Sequence, residues 1–339
     1  MGSAFLIFHC YFETMHYMIQ EIREEKDILD KYLSGDDKNS ALALRHIESS
    51  NGCITSGNGT SYNAAYYLSL LLLKRNLFSV PIFASEFPRF MNGEFNFKNR
   101  EVILFSQSGE TSDAVSAANF GKRNGASILS ISNVPGSSLA KLSDISIITP
   151  AGPEKSIAAT KSHMGQLLSS LSIYFAGERE EFSNLLGKIK EGFEIIMDRE
   201  NEIKKFAEGL LQKVVFLGSG LDYPVAREGA LKLKESCSMI TDAYPTREFL
   251  HGPKQILDDS WTVLILSKED AVKLELSKLS RNVLDLDSIM HEEFKIRSKS
   301  EIADSILKVL FVQLLSYYRA VFLGLDPDKP SKLTKVITS

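Results

Sequence analysis

Short apolar runs alternate along this chain with longer stretches of helical periodicity. Residues 102–105 are four consecutive apolar residues leading straight into Ser106-Gln107-Ser108-Gly109-Glu110-Thr111, and 112–122 follows with a helical pattern. A run this short and this apolar predicts a strand buried on both faces, followed by a tight turn and a helix N-terminus. The same rhythm recurs: strand 53–55, turn Gly57-Asn58-Gly59-Thr60-Ser61 and apolar helix 62–73; strand 79–84, with 86–89 beginning a connection; strand 127–132 with a turn at 133–136; and strand 145–149. Ahead of it lie an amphipathic helix over 16–33, a break at 36–39 and a second short helix over 41–49. A long helix is predicted over 155–175, and a Glu- and Lys-rich helical stretch over 178–212 reads as a connector. The alternation predicts an α/β protein with parallel sheets covered by helices.

The second half opens with strand 214–217 and repeats an earlier pattern. Gly57-x-Gly59-x-x-Tyr62-x-x-Ala65 recurs as Gly218-x-Gly220-x-x-Tyr223-x-x-Ala226, each copy directly after an apolar strand. This suggests duplication of one α/β unit. The third glycine of a dinucleotide fingerprint is missing, so a nicotinamide cofactor is rejected. The expected organisation is a leader and helix (1–40), a first α-β-α sandwich domain (41–180), a helical connector (181–212), a second sandwich domain (213–325) and a tail (326–339) that follows a helix over 302–322.

Composition adds limits. Of 339 residues, 44% are hydrophobic and 24% charged, and the formal charge of -4 comes without a long basic run. Nucleic-acid binding is not expected, and an anionic ligand would be small and held locally. Cys10, Cys53 and Cys237 are odd in number and widely spaced; they suggest no metal site and an intracellular chain with free thiols. The apolar segment Phe5-Leu6-Ile7-Phe8 lacks a basic flank and is too short to span a bilayer; Gly2-Ser3 is compatible with a cloning remnant and Met15 with a start.

Three places carry candidate chemistry. The loop after strand 102–105 offers the hydroxyls of Ser106, Ser108 and Thr111 together with the amides of a first helical turn, which can hold a phosphate without Lys or Arg. A helix cap alone would account for one such hydroxyl. In the second half, strand 263–266 runs into Ser267-Lys268-Glu269-Asp270. That acidic pair would repel phosphate, so the anion site is expected in the first half only. Glu228, Lys232 and Glu235 lie on one face of a helix over 227–237. Such a stripe is ordinarily a solvated ion-pair row, but this helix begins at the carboxyl end of a strand, where open sheets bind ligands. Beyond it, His251 precedes Gly252-Pro253 in a rigid loop that suits a positioned acid or base. His9, His46 and His163 have no such setting. The tail, with Pro327, Pro330, Lys332 and Lys335, could fray; its apolar Leu333, Val336 and Ile337 would instead let it pack and bring a lysine to the site.

These segments, with 16–22, Gly59-Thr60-Ser61-Tyr62, 133–139 and Ala158-Ala159-Thr160-Lys161, together resemble the sugar isomerase (SIS) family with two tandem domains. In particular they resemble the isomerase half of glutamine-dependent glucosamine-6-phosphate synthases. The resemblance runs from His16 nearly to the end. It implies that Ser106, Gln107, Ser108 and Thr111, with Thr60 and Ser61, hold a sugar phosphate, with Ala158 and Ala159 beside the sugar. It further implies that Glu235 moves the proton between C1 and C2, that His251 of a neighbouring subunit in a homodimer assists ring opening, that Lys232 supports the site and that Lys335 approaches the open-chain carbonyl. Two departures matter. The amide-cleaving half of the synthases is not part of the resemblance and residue 2 is Gly2, so the chain alone is not expected to use glutamine. Asn58 and Ala159 stand where synthases usually carry Cys and Ser, and deaminase relatives tend to resemble this chain there.

The expected function is an isomerase/deaminase interconverting glucosamine 6-phosphate and fructose 6-phosphate plus ammonia, in the cytoplasm, without metal or cofactor and with no nucleic-acid or membrane partner. The alternatives are an isomerase subunit fed with ammonia by a separate glutaminase, a fructosyl-amine-phosphate deglycase, and a non-catalytic sugar-phosphate sensor. The sensor would be expected to lose its acid/base groups, whereas Glu235, His251 and Lys335 are all present.

Overall fold

The computed structural model describes residues 16–35, 38–91, 95–286 and 300–335. The Phe5–Phe8 run, Cys10, the break at 36–37, and Val336 and Ile337 of the tail lie outside the described residues.

Two parallel sheets form the frame. The first contains β1 (Cys53–Gly57), β2 (Ser79–Phe83), β3 (Glu101–Phe105), β4 (Ser127–Ser132) and β5 (Ile145–Ile148) in the order β2-β1-β3-β4-β5. The second contains β6 (Lys213–Gly218), β7 (Ile240–Pro245), β8 (Trp261–Ile265) and β9 (Val283–Asp285) in the order β7-β6-β8-β9. In both sheets the first strand sits between the second and the third. Each therefore has a topological switch point, between β1 and β3 and between β6 and β8, where loops at the carboxyl ends splay apart.

The alternation of side chains along the strands sets the layers. Ile103 and Phe105 of β3, and Val214 and Phe216 of β6, face one continuous core shared by the two sheets. Val102 and Leu104 face a separate outer core, and Val215 and Leu217 face another. The shared core is filled by helices running from strand ends, chiefly α4 (Thr60–Lys74), α8 (Lys161–Tyr174), α11 (Asp222–Cys237) and α13 (Glu301–Phe322). The outer face of the first sheet carries α5 (Phe87–Phe90), α6 (Ser112–Arg123) and α7 (Ser138–Leu142); that of the second carries α12 (Asp270–Leu276). Helix α13 is long and apolar enough to cross a membrane, yet 72% of its apolar window is buried in the protein, as suits a core helix.

The duplicated glycines have a shared physical cause. A Cβ on Gly57 would lie 2.8 Å from the carbonyl of Ser61, and one on Gly218 would lie 2.3 Å from that of Asp222. Each strand end is thus pressed against the first turn of its own helix, which only glycine allows.

Several expectations need correction. The leader is two helices, α1 (Tyr17–Arg23) and α2 (Glu25–Ser34), followed by α3 (Lys38–Ser49). The stretch read as a connector forms α9 (Arg179–Asp198) and α10 (Glu200–Glu208), and it buries Leu186, Ile189, Phe193, Ile196, Ile203 and Ala207 in the shared core. The helix predicted from residue 155 begins at Lys161. Before that point the backbone amides are committed to side chains: those of Lys155 and Ser156 donate to Glu21, and that of Thr160 donates to Glu154. The strongly apolar pattern of α4 extends to Thr60, two residues earlier than its periodicity predicts. Cys53 and Cys237 are free and buried, and burial pushes both thiols up to about 12, which leaves them inert at neutral pH.

Glu101, at the start of β3, is 2% exposed and accepts a hydrogen bond from Ser127 Oγ at 3.0 Å. Burial, reinforced by Asp144, pushes its carboxyl from the ordinary 4.5 up to about 7, against the opposing pull of Ser127. The folded state then binds this proton more tightly than the unfolded chain, so the contribution is complete below pH 4.5 and is lost as pH rises through about 7. Glu101→Gln should leave thermal stability at pH 5 nearly unchanged and raise it at pH 8 by about 1–3 kcal/mol. Melting curves of both proteins at the two pH values check this; equal differences at both would refute it.

Candidate active site

The site grows from the switch point of the first sheet. β1 delivers Gly57, Asn58 and Gly59 to the N-terminus of α4, and β3 delivers Ser106 to Thr111 to the N-terminus of α6. The residue capping α4 is Gly59, at φ +53°, and the hydroxyl of Thr111 makes no capping bond to α6. Two helices of 15 and 12 residues therefore converge here without side-chain caps on their first amides. Between them lies a cavity of about 250 Å³ lined by Thr60, Ser61, Ser106, Gln107, Ser108 and Thr111.

Part of this hydroxyl set builds the loop itself. Ser106 Oγ accepts from the Gly109 amide at 3.1 Å and lies 3.4 Å from Thr111 Oγ1, while Ser108 Oγ accepts from the Glu110 amide at 3.1 Å. Gly109 adopts φ +66°, and a Cβ there would fall 2.2 Å from Ser137 Oγ. The one carboxylate in the loop is drawn aside. Glu110 accepts from the Ser138 hydroxyl at 2.7 Å and the Ser138 amide at 2.8 Å, and these donors hold its pKa below the usual carboxylate range.

The opposite wall comes from the second half. Glu235 of α11 lines the same cavity. Its neighbours are not a solvated stripe: the side chains of Glu228 and Lys232 are wholly buried and that of Glu235 is 22% exposed. Lys232 Nζ lies 2.6 Å from Glu235 Oε2, 3.2 Å from Glu228 Oε1 and 2.9 Å from Thr60 Oγ1. Thr60 in turn donates to Glu228 at 3.0 Å, and Asn63 of α4 donates to it at 2.7 Å. Burial by itself would push the Lys232 ammonium toward neutrality, but Glu228 and Glu235 outweigh it and raise its pKa. Burial likewise opposes ionisation of Glu228, and Lys232 and His163 reverse that. Thr60 therefore lines the cavity with its hydroxyl already bonded to this charged cluster, while Ser61 Oγ accepts from Gln166 at 3.0 Å.

The second half repeats the architecture with another occupant. Ser56 pairs with Leu104 across β1 and β3 as Leu217 pairs with Ile265 across β6 and β8, so Ser106 corresponds to Ser267 and Ser61 to Asp222. Asp222 accepts from Ser267 Oγ at 2.9 Å and pairs with Lys308 at 2.7 Å, and the Ser219 amide donates to Ser267 Oγ. An internal carboxylate thus sits where the first half is open. Of the acidic pair Glu269 and Asp270 expected to repel phosphate there, Glu269 pairs with Arg247 at 3.2 Å.

The loop before α8 and the tail close the remaining sides, contributing Ile157, Ala159, Leu333, Thr334 and Lys335. Lys335 Nζ contacts Glu154 Oε2 at 2.7 Å and the Ser156 carbonyl at 2.5 Å. Ala158, placed beside the sugar by the resemblance, is 1% exposed and its methyl joins the shared core. His251 ends a short 3-10 turn, is exposed and does not line this cavity in its own chain. Sequence reasoning missed Glu154, Asn63 and Asp222, whose partners are distant in sequence. It also dismissed His163, which is 2% exposed, has no hydrogen-bond partner at Nδ1 among the described residues and is kept below its ordinary pKa by burial. A larger cavity of about 530 Å³, between α2, β5 and α9, contains none of the predicted residues.

Two substitutions test this geometry. Gly109→Ala should weaken binding of a phosphate ester at least about ten-fold in calorimetry while the protein stays folded, because strain and the Ser137 clash deform the loop; unchanged affinity would refute the loop assignment. Lys232→Met should destabilise the fold by about 3–5 kcal/mol by leaving Glu228 buried and unpaired, and adding Glu228→Gln should recover part of that loss. Urea titration checks it, and simple additivity of the two changes would count against the cluster.

Comparison with known proteins agrees with the fold. The SIS domain family matches residues 46–175 and 212–284. A glutamine–fructose-6-phosphate aminotransferase (isomerizing) of Sulfolobus acidocaldarius is 34% identical over 345 residues, covering 95% of this chain and 56% of that protein. Its counterpart from Aquifex aeolicus is 34% identical over 349 residues, covering 95% and 58%. The chain therefore spans little more than half the length of these relatives. Among solved structures, the C-terminal domain of glucosamine-fructose-6-phosphate aminotransferase from Francisella tularensis is 25% identical with a TM-score of 0.79, covering 94% of this chain and 99% of that one. A glucosamine-6-phosphate deaminase from Thermotoga maritima is 27% identical with a TM-score of 0.80, covering 95% and 99%. With two duplicated parallel sheets and a family match over more than half of its residues, this chain belongs to the SIS domain family.

Proposed function

We propose that the chain is an amino-sugar-phosphate isomerase/deaminase that converts glucosamine 6-phosphate and water to fructose 6-phosphate and ammonia, and runs in reverse at high ammonia. The observation that carries this reading is the single cavity joining the uncapped helix amides and Ser/Thr hydroxyls of one half to Glu235 and Lys335. The first group would anchor the phosphate at C6. The open-chain sugar would then extend toward Glu235, whose carboxylate removes the proton at C2 and returns one to C1. Lys232 grips one Glu235 oxygen, Oε2, and so fixes the carboxylate for that transfer. The product of the shift is the 2-imine, and addition of water at C2 releases ammonia. Lys335 would approach the carbonyl of the open chain, and His251 of a second copy in a homodimer would assist ring opening.

The likeness to a glucosamine-6-phosphate deaminase covered over 99% of its chain supports the deaminating direction, as does Ala159 in the cavity wall. The similarity to isomerizing aminotransferases supports a second reading, an isomerase unit that receives ammonia from a glutaminase. Both readings use the same residues.

Purified protein should release ammonia from glucosamine 6-phosphate, and Glu235→Gln should lower the rate about 10²–10⁴-fold while a non-reacting sugar phosphate still binds. No ammonia release from the wild type, alongside turnover of a fructosyl-amine phosphate, would replace this reading with a deglycase.

A further inference from the structure

The tail that brings Lys335 to the cavity has few anchors. Asp328 accepts from the first amides of α1, Tyr17 and Met18, both at 2.7 Å, and its carbonyl accepts from the Ile157 amide at 3.0 Å. Beyond Asp328, among the described residues, the hydrogen bonds joining 329–335 to the body are those of Lys335 alone. Its ammonium meets Glu154, whose side chain is fully buried, while the lysine side chain is 26% exposed.

Glu154 also has a second set of partners. Oε1 accepts from the Thr160 amide at 2.9 Å and the Ser162 amide at 3.1 Å, at the start of α8, and Oε2 accepts from Ser162 Oγ at 2.8 Å. The carboxylate is therefore fixed to the start of α8 by contacts that do not involve the lysine. A buried anion held by three donors still needs a cation nearby, and among the described residues Lys335 is the one that pairs with it.

We propose that Glu154 is the positioning residue that docks the C-terminal tail, holding Lys335 at the cavity wall before the sugar enters. The lysine then reaches an open-chain carbonyl by exchanging one partner for another rather than by ordering seven residues of chain. This rests on the role of Lys335 given above. It makes α8 the fixed reference from which a mobile cation is delivered.

The two oxygens allow a selective test. In Glu154→Gln the amide oxygen can keep both backbone donors, and its NH₂ group can donate to Ser162 Oγ but repels an ammonium. Hydrogen exchange of the full chain without substrate is read at Leu333, whose amide donates to the Pro330 carbonyl at 3.2 Å; it should exchange about ten-fold faster in this variant, with Thr160 and Ser162 protected as in the wild type. Lys335→Met, which leaves α8 untouched, should reproduce the same acceleration. With substrate, Glu154→Gln should raise KM about ten-fold and change kcat by less than about three-fold, because the ordering cost moves into binding. Unchanged exchange in the tail of either variant would overturn the proposal. So would acceleration at Thr160 and Ser162 equal to that of the tail, which would make Glu154 a helix cap only, or a collapse of kcat at constant KM. The exchange measurements need no turnover: a docked tail in a protein that releases no ammonia would strike the reaction assignment and leave the docking intact.

Discussion

An ammonium with no access to water has to be neutralised where it stands, and Lys232 is such a group. Its three partners come from both halves of the duplication: Glu228 and Glu235 from its own helix, and Thr60 from α4 across the interface. Asn63, one turn further along α4, holds the far oxygen of Glu228. The requirement that this charge be matched therefore locks α4 against α11. That lock fixes the distance between the hydroxyl-lined wall, which α4 helps to build, and Glu235, which lines the opposite wall. Stability and site geometry rest on one contact, because loosening the cluster would both bury an unmatched charge and let the two walls drift.

The duplication accounts for the difference between the two halves. Both halves have the strand, the glycine pressed on the helix and the serine after the third strand. Serine at position 61 leaves the first cradle open to an external anion, whereas aspartate at 222 fills the second with a carboxylate attached to the chain and matched by Lys308. On the proposed reading, the second half, relieved of binding, supplies the acid/base helix. A single side-chain difference at the start of each helix thus goes with the division of labour.

Much of this was legible in the sequence. The apolar runs of β1, β3, β4 and β6 are buried on both faces, and such strands have no competing reading once Gly-rich or Ser-rich turns bound them. That Ser106, Gln107, Ser108 and Thr111 line one cavity was legible because they are contiguous. The burial of the charges on α11 was not legible, because spacing reveals which residues share a face but not what that face meets; burial came from α4, far away in sequence. The false start of α8 has the same origin. Ala158 and Ala159 are good helix formers, yet Glu21 and Glu154 capture the amides that a helix would need. The positions that escaped the sequence reading are those with partners far away in sequence, such as Asp222 with Lys308 and Glu154 with Lys335.

A phosphate cradle without lysine or arginine has a mechanistic consequence on the proposed reading. Hydroxyls and helix amides bind an anion over short range and in one orientation, whereas a cluster of flexible cations would bind it more tightly and less directionally. The full positive charges near the cavity are kept for its other end: Lys232 is fixed beneath Glu235, and Lys335 is parked on Glu154. An anion drawn toward either lysine would break a buried or half-buried ion pair, while the amides of α4 and α6 offer it partners at no such loss. The arrangement therefore favours the phosphate at the hydroxyl end and the reacting carbons beside the carboxylate, so that orientation, more than tight binding, is what the site supplies to the proton transfer.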